Sequence, residues 1–328
     1  MDSRERVMAA VKFERPDRIP VDLWTVPAVY LRHGRAVDGL LHQHPTDFAR
    51  RDWDPEGMDG RLRAGRYVDE WGCLWENKAE GYFGMVAKLP LEDYRALDSL
   101  RPPFEWMEDD VRKGTSEHPQ PGKFWLGWGG DFFHRMCWLR GMEKVMFDLM
   151  DGSPELYRLR EMLLDFFARQ VTLVSKTDVD GICFADDFGS QQQLLIPPSL
   201  WRSFIKPVYR DILGICKSAG KLVFFHSDGN ILEIMDDLIE LGVDALNCQV
   251  WCMGGPEVLG KRFAGKLTFW GELDRQSTIP HGTPDDIFRA ARRMKEHLGL
   301  ETGGLIGQGE VDGLTPLENI EAILTAWN

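Results

Sequence analysis

Residues 221–230, KLVFFHSDGN, place an imidazole and a carboxyl group directly after four apolar residues, Leu222 to Phe225. Such a run reads as a strand buried on both faces in a parallel sheet, so His226 and Asp228 mark its C-terminal end. An imidazole beside a carboxyl group does proton transfer or, with further donors, metal chemistry. The pattern of apolar run followed by acid recurs along the chain. The predicted strand ends carry Asp22 and Trp24; Asp186 and Asp187; His226 and Asp228; Cys248 and Gln249; Glu272 and Asp274; and Gln308, Glu310 and Asp312. Any one of these acids is accounted for by capping the helix or loop that follows. Together, acids converging on one histidine repel unless a metal, a shared proton or a cationic substrate sits among them. Zinc accepts nitrogen, sulfur and oxygen, so His226 with some of Asp228, Cys248 and Glu310 is a chemically sensible site. His226 and Asp228 are read as pointing to opposite faces of extended backbone, with a bend at the strand end bringing both to one centre. Cys248 and Cys252, in NCQVWCMGG, lack a second pair or a nearby histidine and give only a weak metal signal.

The elements that must position these groups alternate. DGICFADD, KLVFFHSDG, DALNCQV, LTFWGELD and GGLIGQGEVDG are short apolar strands, each followed by an amphipathic segment. The helix over PSLWRSFIKPVYRDILGICKSAG stops at Gly220, TPDDIFRAARRMKEHLGL starts with Thr283 as N-cap and Pro284 at the first position, and TPLENIEAILTAWN has the same Thr-Pro start. This is the signature of successive βαβ units and a parallel sheet. The N-terminal half offers a helix over SRERVMAAVKF and a first strand RIPVDLW. A region from about 52 to 130, rich in Trp, Gly and Pro, then reads as hairpins and loops. No G-x-G-x-x-G follows the first strand, and the strands are too numerous for a small doubly wound unit. The expectation is a (β/α)8 TIM barrel over residues 1–328, one domain with an N-terminal extension and loop insertions over the mouth, where barrel active sites lie.

A formal net charge of −13 over 328 residues excludes nucleic acid and anionic membrane as partners, while leaving room for a local basic cluster that binds a small anion. No apolar segment is long enough to span a bilayer and the start lacks a signal-peptide apolar region, so a cytoplasmic location with six reduced cysteines is expected. Most of the 12 tryptophans are assigned to core packing.

The segments DGICFADDFGSQQQLLIPPSLWRSFIKPVYRDI, AGKLVFFHSDGNILEIMDDLIELGVDALN, LTFWGELDRQSTIPHGTPDDI and GLTPLENIEAIL resemble the uroporphyrinogen decarboxylase superfamily, as do SRERVMAAVKFERPDRIPVDLW and YVDEWGCLW near the start. The resemblance implies a (β/α)8 barrel with a cleft at the strand C-termini. The decarboxylases of that superfamily carry MRQAGRY after the first strand. This chain has VDLWTVPAVYLRHGRAV, with Arg32 and Arg35 but without the motif. The corrinoid-dependent methyltransferases carry zinc on His-x-Cys and a distant Cys near the last strand. Here His226 matches, Asp228 stands for the first Cys, and Glu310 lies beside the position of the second. Ala185-Asp186-Asp187 with Gln191 is similar to the GDDWGSQ segment of that branch. The implied function is methyl transfer between a small O- or N-methylated compound, or a thiol, and a cobalamin-binding partner protein. In that reading His226 holds zinc or a proton, Asp187 and Asp186 serve as acid/base or substrate-orienting groups, and Trp24, Gln191, Gln249 and Asp274 meet substrate. The Trp-rich loops then form an apolar lid. A lyase acting on a carboxylated substrate and a non-catalytic binding protein are the alternatives.

Overall fold

The structure, a computed structural model, describes residues 1–327. Strand β1 (Val21–Thr25) is followed by a small antiparallel sheet of β2 (Gly65–Val68), β3 (Leu74–Asn77) and β4 (Met85–Lys88). Then come β5 (Leu126–Gly130), β6 (Gly181–Ala185), β7 (Leu222–Ser227), β8 (Ala245–Cys248), β9 (Thr268–Glu272) and β10 (Leu305–Val311). With β1 these six form one parallel sheet in the order β1-β10-β9-β8-β7-β6-β5. The sheet therefore has seven strands where eight were expected. Between β1 and β5 the chain supplies only the segment around Phe48: Asp47 N donates to Val21 O, Phe124 N to Asp47 O, and Ala49 N to Phe124 O.

All five C-terminal strands form where the apolar runs predict them, and the expected helix over 284–297 starts on a Thr283 capping box with Asp286. The second Thr-Pro start is displaced. Helix Leu317–Thr325 begins after Pro316, and the Thr315 hydroxyl instead accepts from Asp312 N in the preceding turn. β5 is the strand the sequence concealed. Gly127, Gly129 and Gly130 gave LGWGG the look of a loop, yet a Cβ at Gly127 would lie 2.6 Å from Val174 Cγ1 and one at Gly129 2.4 Å from the Phe184 ring. Side chains of the helix Pro154–Ser175 and of β6 occupy the space those glycines leave empty.

Alternation along each strand decides what faces inward. On β7, Val223 and Phe225 pack outward among the helices, whereas Leu222 and Phe224 join Phe48, Phe124, Trp270 and Ile306 in an inner aromatic core. Trp270 stacks on Phe48 at 5.7 Å and meets Phe224 edge-on at 5.1 Å, filling the interior below the strand ends. The next inward residues form the rim: His226 pairs in register with Asn247 and Ala185, Gln308 with Glu272 and Asp22, and Glu310 with Trp24. His226 and Asp228 accordingly share a face because they are two residues apart, and no bend is needed, contrary to the expectation from the sequence.

The loops after β6 and β7 touch backbone to backbone. Gly229, at φ 79°, sits where a Cβ would approach Gly189 O to 2.1 Å. Gly229→Ala should therefore separate Asp187 from Asp228 and cost about 2 kcal/mol or more in stability. Denaturant titration checks this, and an unchanged midpoint would show that the two loops move apart freely.

Candidate functional site

His226 projects from the end of β7 with its Nδ1 2.6 Å from Asn247 Oδ1. Asn247 is fixed in turn, because its Nδ2 donates to Trp270 O (2.8 Å) and to Gln308 Oε1 (3.2 Å). Its carbonyl oxygen must then face the imidazole, so Nδ1 carries the hydrogen and Nε2 is the free end. Nε2 lies 3.5 Å from both Asp187 Oδ1 and Asp228 Oδ1. The three donor atoms lie within 4.8 Å of one another. Asp187 is anchored from two sides: its Oδ1 accepts from Asp228 N (2.9 Å), and its Oδ2 lies 3.4 Å from His134 Nε2. Asp228 Oδ1 is buried and has no hydrogen-bond partner.

The cation demanded by so many acids is internal. Arg275, in the loop after β9, binds Asp228 through one nitrogen and Glu310 through another, at 2.5 Å. Its Nε lies 2.9 Å from Glu272 Oε1, although out of line for a hydrogen bond, so both Glu272 oxygens remain unsatisfied. Burial pushes Glu272 up to about 8, with Arg275 pulling the other way. Burial alone would lower the imidazole of His226, but Asp187, Asp228 and Glu272 outweigh it and raise His226 to about 10. His134, likewise buried, is raised to about 9 by Asp187 and Asp186, and Asp187 is held far below the usual carboxylate range by the two imidazoles despite its burial. Asp187, Asp228 and Glu310 thus face Arg275, His134 and His226.

Other expected residues lie elsewhere. Asp186 is fully buried and accepts from Phe133 N (2.5 Å), His134 N (2.8 Å) and the Tyr209 hydroxyl. It ties the start of helix Phe132–Arg140 to β6, and burial lifts it to about 7. Cys248 follows Asn247 on β8 and so points away from the imidazole, into the outer core. Its thiol lies in the outer core rather than among the donors around His226, and burial raises it far above the ordinary value. No disulfide forms among the described residues. Glu310 is engaged by Arg275. Asp274 caps its own turn, accepting from Gln276 N and Ser277 N. Gln191 and Gln249 do meet, at 2.7 Å, on the rim beside Arg275. Arg32 donates to Gly313 O and Arg35 is exposed, so neither enters the rim.

Trp24 packs on His226 at 5.2 Å and donates its indole N–H to Asp22, as does Trp270. Asp22 is buried, and burial raises it to about 6. On the other side of Trp24 a cleft of about 570 Å³ opens, lined by Val26, Phe48, Trp270, Arg50 and Glu310, with Leu62 and Phe83 reaching over from the hairpin region. Trp24 is thus the wall between cleft and imidazole.

Sequence reasoning missed Arg275, His134 and Asn247. Arg275 was legible as the one basic residue three positions after Glu272 at a strand end. His134 is hidden because the glycine-rich strand that precedes it reads as a loop.

A sequence profile described as uroporphyrinogen decarboxylase (URO-D) matches residues 133–328, more than half of the chain. Among curated proteins none matches. A solved methyltransferase from Methanosarcina mazei shares the fold at a TM-score of 0.70 and 16% identity, over 99% of this chain and 98% of that one.

The charge balance has a pH signature. In the folded state His226 and Glu272 hold protons up to about 10 and 8, against about 6.5 and 4.3 in an unfolded chain, so each contributes stability that is lost as pH rises. The thermal midpoint should fall between about pH 5 and pH 10, and Asp187→Asn, which removes the partner of both imidazoles, should flatten the alkaline part. A midpoint that rises over this range contradicts the assignment.

Proposed function

Because the chain belongs to the uroporphyrinogen decarboxylase family, we propose that it is a methyltransferase of that superfamily, moving a methyl group between a small O- or N-methylated donor, or a thiol acceptor, and a corrinoid carried by a separate protein. The observation that supports this reading is the Nε2 of His226 held 3.5 Å from two carboxylates, behind Trp24, which itself lines an apolar cleft of small-molecule size. In this reading the segment around Phe48 stands as the eighth stave of a (β/α)8 barrel.

The residues do three things. The cleft takes the apolar part of the substrate against Trp24, Phe48 and Trp270 and keeps water away. Asn247 fixes the imidazole so that Nε2 points toward the carboxylates, and Asp187 keeps it protonated near neutral pH. As the carbon–heteroatom bond of a methyl donor breaks, its electron pair would stay on the oxygen or nitrogen and the Nε2 proton of His226 would neutralise it, with a corrinoid presented by the partner supplying the methyl acceptor.

Zinc suits the same three donors. Around a tetrahedral zinc with bonds of about 2.0–2.2 Å, ligand atoms stand roughly 3.3–3.6 Å apart. The two Nε2-to-oxygen distances of 3.5 Å match, and Asp228 Oδ1 is an orphaned acceptor. Asp187, His226 and Asp228 would hold the ion, which when bound supplies Lewis acidity toward a substrate heteroatom. No thiolate joins them, which departs from the two-cysteine pattern of the methyltransferase branch.

Methyl transfer to cob(I)alamin from a panel of methoxylated and methylamino compounds tests the function. His226→Ala should lower the rate by roughly 10²–10⁴-fold. A variant as fast as the wild type would remove the imidazole from the chemistry. Metal analysis after zinc loading should find one equivalent in the wild type and none in His226→Ala, and equal uptake by both would remove His226 as a ligand.

A further inference from the structure

Arg50 follows the segment that bridges β1 and β5, and its guanidinium has no acidic partner among the described residues. It donates only to neutral oxygens: Leu23 O at 3.5 Å, Thr25 Oγ1 at 3.2 Å and the Tyr30 hydroxyl at 3.2 Å. In a chain of net charge −13 that is unusual company for a half-buried arginine. Two of the acids nearby are already engaged. Asp47 is bound by Arg6, Arg18 and Val21 N, and Asp22 by two indoles.

Arg50 also stands where two cavities meet. One is the apolar cleft beside Trp24, and the other is a pocket of about 550 Å³ between residues 30–53 and 120–123, which holds Arg51, Lys123 and His42 as well. The Lys123 ammonium is half-buried, makes no ion pair among the described residues, and is held below its usual pKa by burial and, with opposite sign to the nearby acids, by Arg50 itself. Asp38 and Asp52 also line that pocket, yet neither forms an ion pair with Arg50 or Lys123 among the described residues, so the two mutually repelling cations are left open to an anion.

We infer that Arg50, seconded by Lys123, binds the carboxylate of the substrate, whose apolar body lies in the cleft against Phe48, Trp24 and Trp270. The substrate class is a small carboxylic acid with a flat or bulky apolar body. Guanidinium presents paired N–H donors that match a carboxylate, and the aromatic wall supplies the apolar complement. This assignment rests on the reading of the cleft as the substrate site of the methyl transfer, but it makes its own prediction about binding.

Benzoate is the probe, with benzamide as its neutral isostere and inorganic phosphate as the competing anion, each titrated calorimetrically into the full chain. Benzoate should bind, benzamide at least tenfold more weakly, and phosphate should not bind measurably. Arg50→Gln should weaken benzoate at least tenfold, Arg50→Lys should recover part of the loss, and Lys123→Gln should weaken it severalfold. The inference is overturned if the wild type does not bind benzoate, if benzamide binds as well, if phosphate binds and benzoate does not, or if Arg50→Gln and Lys123→Gln are both silent in variants shown to be folded by circular dichroism. Benzoate binding through Arg50 without any methyl transfer would leave the anion site standing and overturn the transfer reading. Transfer from neutral donors unaffected by Arg50→Gln would do the reverse.

Discussion

Carboxyl groups brought to one rim of a parallel sheet repel, and the structure is built around how that repulsion is contained. Arg275 is the principal device, since a single guanidinium contacts Asp228, Glu272 and Glu310 from three directions. Two imidazoles complete the neutralisation from the β6 side, His134 and His226 sharing Asp187 between them. Breaking such a buried pair by removing one member leaves an uncompensated charge, which costs far more than the pair itself contributes. Loss of Arg275 would therefore disturb the rim more than loss of any one acid.

The neutralisation also prepares the chemistry. A histidine between two carboxylates is stabilised in its protonated form, and the hydrogen bond to Asn247 leaves Nε2 as the end that faces them. In the proposed zinc reading the same three donors would take the ion only once that proton leaves, so proton and metal would compete for one place. A site with two cysteines would decide that competition in favour of zinc. One with Asp228 in place of a thiolate leaves it responsive to pH, because carboxylate and imidazole bind the metal less tightly than thiolates do.

Much of the framework was legible in the chain. Apolar runs, four of them ending in acids, announce the five C-terminal strands, and the Thr283-Pro284 start marks its helix to the residue. The convergence of Asp187, His226 and Asp228 followed from strand ends gathering at one mouth. What escaped notice depends on partners distant in sequence. The glycines of β5 are small because Val174 and Phe184 fill the space, which no local pattern reveals. Cys248 was a reasonable ligand by type but not by parity, since it neighbours inward-facing Asn247 and so must face out. Asp186 looks like Asp187 in the sequence and differs only in facing the backbone amides of a helix start rather than the imidazole. The need for positive charge follows from the acids, and Arg275 supplies part of it from within the chain, a source that the pattern of strand ends does not reveal.

The arrangement of the His226 imidazole is open to direct observation by nitrogen-15 NMR of the metal-free protein. The account predicts that Nδ1 keeps its hydrogen throughout and that Nε2 loses its own only near pH 10, after Asp187 and Asp228 have held it across neutral pH. An imidazole that titrates close to its ordinary value, or that keeps the hydrogen on Nε2 and loses it from Nδ1, would contradict the placement of Nε2 between the two carboxylates and with it the proposed site.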